Sequence, residues 1–116
     1  METNCLFCQI AEGEVRSDSV YADEQVLAFK DFHPKAPVHL LIIPKLHIKS
    51  IAHLEDNQDE IVSKLIYTAK DIAAGQKLSG YKLVFNVGRE GGQVIDHLHL
   101  HLLGGWGQGG DTQINL

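Results

Sequence analysis

Histidine and leucine alternate strictly from His97 through Leu102: His97-Leu98-His99-Leu100-His101-Leu102. A period of two sorts side chains onto two sides only when the backbone is extended, so this row predicts a β-strand. It would carry three imidazoles on one face and leucines on the other. Each imidazole needs a hydrogen-bond partner when buried and changes charge near neutral pH, so three in register mark a chemical surface. The opposite face is core.

At 116 residues the chain is expected to form one domain with a modest core. Its net charge of −5 argues against nucleic-acid or membrane affinity driven by a basic surface. Any phosphate must be held locally. No apolar run approaches the roughly 18 residues of a membrane span, and Met1-Glu2-Thr3-Asn4 lacks the pattern of a signal peptide. The expectation is a soluble, cytoplasmic chain. Cys5 and Cys8 are too few and too close for a disulfide framework, which leaves a redox pair, a metal half-site or two reduced thiols.

Leu6, Phe7, Ile10 and Ala11 predict a short helix over residues 4–12, with Asn4 as N-cap and Gly13 as stop. Ser19–Ala22 and Gln25–Phe29 flank Asp23-Glu24 and read as a hairpin. After a loop with two prolines, Val38–Ile43 reads as a central strand ended by Pro44. Ile61, Leu65, Ile66, Ala69, Ile72 and Ala73 mark one long helix over 57–78, with Asn57 and Glu60 as a capping box and Gly80 as the stop. Tyr81–Asn86 predicts a further strand, joined by a glycine-rich connection to the histidine row. No strand-helix unit repeats. The expected class is α+β: a five-stranded antiparallel sheet with one long helix and a short N-terminal helix. The segment from Gly104 to Gly110, rich in glycine, is expected outside the packed core.

Two chemistries suit the row. Residues two apart on a strand can converge on a catalytic metal, or a neutral imidazole can itself attack phosphorus, since a phosphoimidazole is a good leaving group. The run from Asn86 to Gly104, with Gly92, Gln93 and the alternating histidines in register, resembles the signature of the histidine triad family. Ala36–Ile48 is similar to that family's earlier block, and Leu27–Asp31 to its nucleoside-binding strand. The similarity spans residues 1–105 as one such domain and leaves 106–116 as a glycine-rich tail.

The resemblance, most similar to the Hint-like branch, implies a hydrolase that cleaves purine nucleoside phosphoramidates at the α-phosphate. It implies His99 as the nucleophile that carries the nucleotide, and His101 as the residue on the phosphate and leaving group. His97 and His39 correspond to supporting imidazoles. Asn86, Gly92 and the Val94 main-chain amide correspond to contacts around the phosphate, although Val94 stands where relatives often have serine. Asp31 matches a ribose acceptor, and Phe7, Ile10, Val15, Phe29 and Phe32 fall at positions of the purine sandwich. Cys5, Cys8, His47 and His97 match a structural zinc site found in some members, which would leave His99 free of metal. No cofactor is then expected for catalysis. A homodimer is implied as well. Two further readings remain: a dinucleoside polyphosphate hydrolase of the same superfamily, or a nucleotide-binding protein with vestigial catalysis.

Overall fold

Two strands in the middle of the chain explain most of the architecture, because each buries alternate residues on opposite faces. β2 (Val26–Lys30) and β3 (Val38–Pro44) pair antiparallel, with Ala28 opposite Ile42 and Phe29 opposite Leu41. Val26, Ala28, Leu40 and Ile42 face one side, and Leu27, Phe29, Leu41 and Ile43 face the other. A strand buried on both faces reads as a continuous apolar run, as these do. The computed structural model describes residues 4–114 and 116.

β1 (Ser19–Ala22) flanks β2, β5 (Leu100–Gly104) flanks β3, and β4 (Tyr81–Val84) closes the far edge, giving the antiparallel order β1-β2-β3-β5-β4. The long helix α2 (Asp59–Gly75) packs Leu65, Ala69 and Ala73 onto one face, where Leu98, Leu100 and Leu102 meet it. Burying each such leucine is worth about 2 kcal/mol. The short helix α1 (Leu6–Ala11) packs Phe7 and Ile10 onto the other face. The expected α+β arrangement is therefore present. No helix among the described residues is long and apolar enough to cross a membrane.

Several local expectations are corrected. α1 is capped by the Cys5 sulfur, which accepts from the Cys8 N–H at 3.4 Å, and not by Asn4. The Asn57/Glu60 capping box does not form: α2 begins after Gln58, whose side-chain oxygen instead accepts from the Glu55 N–H at 2.9 Å. Lys77, at φ 59°, takes the left-handed position past the helix end, ahead of Gly80. The histidine row is only partly strand. The β3–β5 ladder starts at Leu100, opposite Ile42, and Leu98 donates its N–H to the Ile48 carbonyl at 2.6 Å. Pro44 has no N–H with which to extend that ladder. The alternation of faces nevertheless survives: leucines go to the helix side and histidines to the other. Gly104, assigned to the loose segment, is the buried last residue of β5, where an added Cβ would meet Leu78 at 3.0 Å. Farther on, the tail returns to the domain through Lys82 Nζ, which donates to the Thr112 carbonyl at 2.6 Å.

Candidate active site

The face opposite α2 gathers His39 from β3, His101 from β5, and His97 and His99 from the approach to β5. All four are buried, and their partners fix which ring nitrogen carries the proton. The His97 Nε2–H donates to the Pro44 carbonyl at 2.7 Å, so its Nδ1 keeps a lone pair. The His99 Nδ1–H donates to the His97 carbonyl at 2.7 Å, so its Nε2 keeps one. His39 Nδ1 accepts from the Lys35 N–H at 3.0 Å, which places its proton on Nε2. That Nε2–H donates to His101 Nδ1 at 2.9 Å, with Asp31 Oδ2 at 3.4 Å. His101 then holds its own proton on Nε2.

Burial keeps these rings neutral. It pushes His97 and His101 down to about 4, with neighbouring histidines adding to the effect. It also lowers His99, against the opposing pull of the His97 carbonyl and Asp31, and His39, where Asp31 again opposes. Phe7 on α1 stands edge-on to His99 at 5.1 Å between ring centroids, and His101 lies 5.1 Å from His99 on another side. Near neutral pH this arrangement presents an unprotonated nitrogen beside an N–H donor.

His99 and His101 line a cleft of about 380 Å³ with Asp31, Asn86, Gly92 and Val94. Asn86 Nδ2 donates to the Gly92 carbonyl at 3.4 Å. Gly92 has φ +88°, and a Cβ there would stand 2.7 Å from the Leu116 carbonyl oxygen, so only glycine fits. Val94 is 76% exposed at the rim. A larger depression of about 920 Å³ adjoins it, sharing Asp31 and Phe32, and is lined by Ile10, Val15 and Leu27. Asp31 Oδ1 accepts from the His33 N–H at 2.8 Å, which leaves Oδ2 toward His39 and the shared border. Phe29, expected beside a ligand, lines neither depression; it is fully buried, 5.5 Å from Phe7 and 6.3 Å from Phe32. His97 likewise lies outside the cleft. Lys35 and His33 line it without having been singled out in the sequence, which offers no periodicity in that loop.

Cys5, Cys8, His47 and His97 converge with all four ligand atoms within 4.8 Å of one another. Cys5 Sγ is 3.3 Å and Cys8 Sγ 3.5 Å from His97 Nδ1, and Cys8 Sγ is 3.3 Å from His47 Nδ1. Tetrahedral zinc, with bonds of about 2.3 Å to sulfur and 2.0–2.1 Å to nitrogen, spaces such atoms roughly 3.6 Å apart. The second ring nitrogen of His97 donates to a carbonyl, the usual support for a metal-bound imidazole. The cluster fits zinc with no open position. Asp31, His39 and His101 also lie within 4.8 Å of one another. They do not fit a metal: an ion on His39 Nε2 would push its proton to Nδ1, against the Lys35 N–H.

A family model described as scavenger mRNA decapping enzyme C-term binding matches residues 4–112. Purine nucleoside phosphoramidase of Escherichia coli (strain K12) is 38% identical over 107 residues, covering 90% of either chain. A 14 kDa zinc-binding protein of Zea mays is 45% identical, covering 86% of this chain and 80% of that protein. The crystal structure of a HIT family hydrolase from Legionella pneumophila Philadelphia 1 is 51% identical and superposes with a TM-score of 0.86, covering 88% of this chain and 93% of that one. With matches of this extent reaching through the cleft and the thiol cluster alike, the chain belongs to the histidine triad family.

Proposed function

We propose that the chain is a nucleotide hydrolase acting on purine nucleoside phosphoramidates, with His99 as the nucleophile. The observation that carries this reading is the His99 Nδ1–H bond to the His97 carbonyl, which leaves the lone pair on Nε2 of a buried ring that lines the cleft. Its Nε2 attacks the α-phosphorus, an N–P bond forms, and the bond to the amine breaks. The His101 Nε2–H bonds a phosphoryl oxygen and passes a proton from solvent to the departing nitrogen. Water then attacks phosphorus, releases the nucleoside monophosphate, and returns that proton to solvent. Help of this kind is worth about 10²–10⁴-fold.

Asp31 Oδ2 faces the border of the two depressions, where it would accept from ribose hydroxyls while the base lies against Ile10, Val15 and Phe32. Phe7 lines the cleft beside His99, and Phe29 lies buried behind it. Asn86, Gly92 and the Val94 amide lie on the phosphate side. The similarity to the phosphoramidase supports an amine leaving group, and the thiol cluster with its zinc-binding relative supports a structural zinc. That ion would hold α1 against the sheet and leave His99 metal-free. We also read the chain as a homodimer, the commonest symmetric assembly.

His99→Ala tests the reading. Turnover of adenosine phosphoramidate should fall on the order of 10³-fold or more, and the mass increase of one nucleotide trapped on the wild type should vanish. Full activity in the variant would remove His99 from its role. Selective cleavage of diadenosine polyphosphate by the wild type would instead favour a pyrophosphate leaving group, and tight nucleotide binding without turnover a binding role.

A further inference from the structure

The loop between β4 and β5 carries a polar side chain that the reaction above does not use. Gln93 is only 2% exposed, although Gly91 before it and Val94 after it lie at the surface. Burying a carboxamide is costly unless its groups are bonded, and here they are. Its Nε2 donates to the Lys49 carbonyl at 2.8 Å and to the Ile95 carbonyl at 2.9 Å, and its oxygen accepts from the Gly88 N–H at 2.9 Å. One amide thus ties both ends of the loop to the segment that follows β3.

The main chain of Gln93 is equally engaged. Its N–H donates to the Gly88 carbonyl at 3.0 Å, and its carbonyl accepts from Arg89 Nη1 at 2.7 Å. Arg89 in turn forks onto Asp96 at 2.8 and 3.1 Å, an outer brace across the same loop. The Gly92 N–H is already given to the Arg89 carbonyl. The Val94 N–H has no partner among the described residues, and Val94 lines the cleft with His99 and His101. Just before it, the Gly91, Gly92 and Gln93 N–H groups are all bonded within the loop.

We propose that Gln93 is a positioning residue whose buried carboxamide holds the Gly92–Ile95 backbone so that the Val94 N–H meets a phosphoryl oxygen. This rests on the nucleotide-hydrolase reading. A main-chain donor stabilises charge that develops at phosphorus only if it is held in place beforehand, because a donor that must first reorganise spends its advantage. Only a carboxamide meets all three partners, since glutamate could accept from Gly88 but would set a charge against the Lys49 and Ile95 carbonyls.

The test compares Gln93→Met, similar in shape without the hydrogen bonds, with Gln93→Glu and with Arg89→Met at the exposed brace. In wild type the Val94 amide resonance should shift on adding adenosine monophosphate. In Gln93→Met that response should be lost, and the rate of nucleotide transfer to His99 should fall about 10–100-fold while adenosine binds within twofold of wild type. Gln93→Glu should behave likewise. Arg89→Met should show the same pattern weakened to about 2–5-fold, and it decides the matter if the buried variants fail to fold. An unchanged rate, or a loss shared equally with adenosine binding, would overturn the proposal. If His99→Ala keeps its activity, the reaction is wrong, yet the amide response still reports on Gln93 by itself.

Discussion

On either side of His99 lie two clusters built from nearly the same material. Cys5, Cys8, His47 and His97 stand on one side, and Asp31, His39 and His101 on the other. Each brings two imidazoles and at least one further metal-ligating group, a thiol or a carboxylate, within coordination distance. What separates them is the far nitrogen of one ring. In His97 that nitrogen donates to the Pro44 carbonyl, so the near one offers a lone pair to the thiols. In His39 it accepts from the Lys35 N–H, so the near one presents a proton to His101. A main-chain group behind each ring thus decides whether the pair can hold a metal or a proton.

The largest way to break this contrast is to remove a thiol. Cys8→Ser should reduce bound zinc from about one ion per chain to none and lower the thermal midpoint by roughly 10 °C or more. Metal analysis of wild type in excess zinc should still find one tightly held ion; two would show that the carboxylate cluster coordinates after all. On the proton side, His39→Ala should leave zinc content unchanged and slow turnover about 10–100-fold, a cost of roughly 1.4–2.7 kcal/mol. The loss should be greatest for the most basic amine leaving groups, since His101 then lacks the partner that fixes its tautomer.

A smaller effect sharpens the same contrast through pH. Burial depresses His101 to about 4, whereas an unfolded histidine titrates near 6.5. Between these values the unfolded chain binds more protons, so stability is present above about 6.5 and lost as pH falls toward 4. Urea midpoints should register about 1–2 kcal/mol lost by pH 5. The slope should lessen in His101→Asn; an identical slope would place the titration elsewhere.

Much of this was legible in the residues. Apolar runs between turn signals located β2 and β3, and the spacing of Ile61, Leu65, Ala69 and Ala73 located α2, because burial leaves its mark in the order of side chains. The caps were less so: Cys5 replaces Asn4, and Gln58 bonds within its own loop, choices that depend on geometry a few ångströms away. The histidine row announced the cleft but not the proton positions within it. Those follow from the carbonyls of Pro44 and His97 and the N–H of Lys35, main-chain groups whose placement no side-chain letter records. Gln93 escaped for a related reason. It stood in the row that carries the family resemblance with no role of its own, and only the fold brings Lys49 to it.

His97 lends its ring to the thiols and its carbonyl to His99. Only histidine can make the first loan; any amino acid can make the second. A descendant of this chain could therefore shed its cysteines and the ring at 97 by single substitutions and still tether the His99 imidazole. The thiol cluster and the cleft imidazole share an address without sharing a fate.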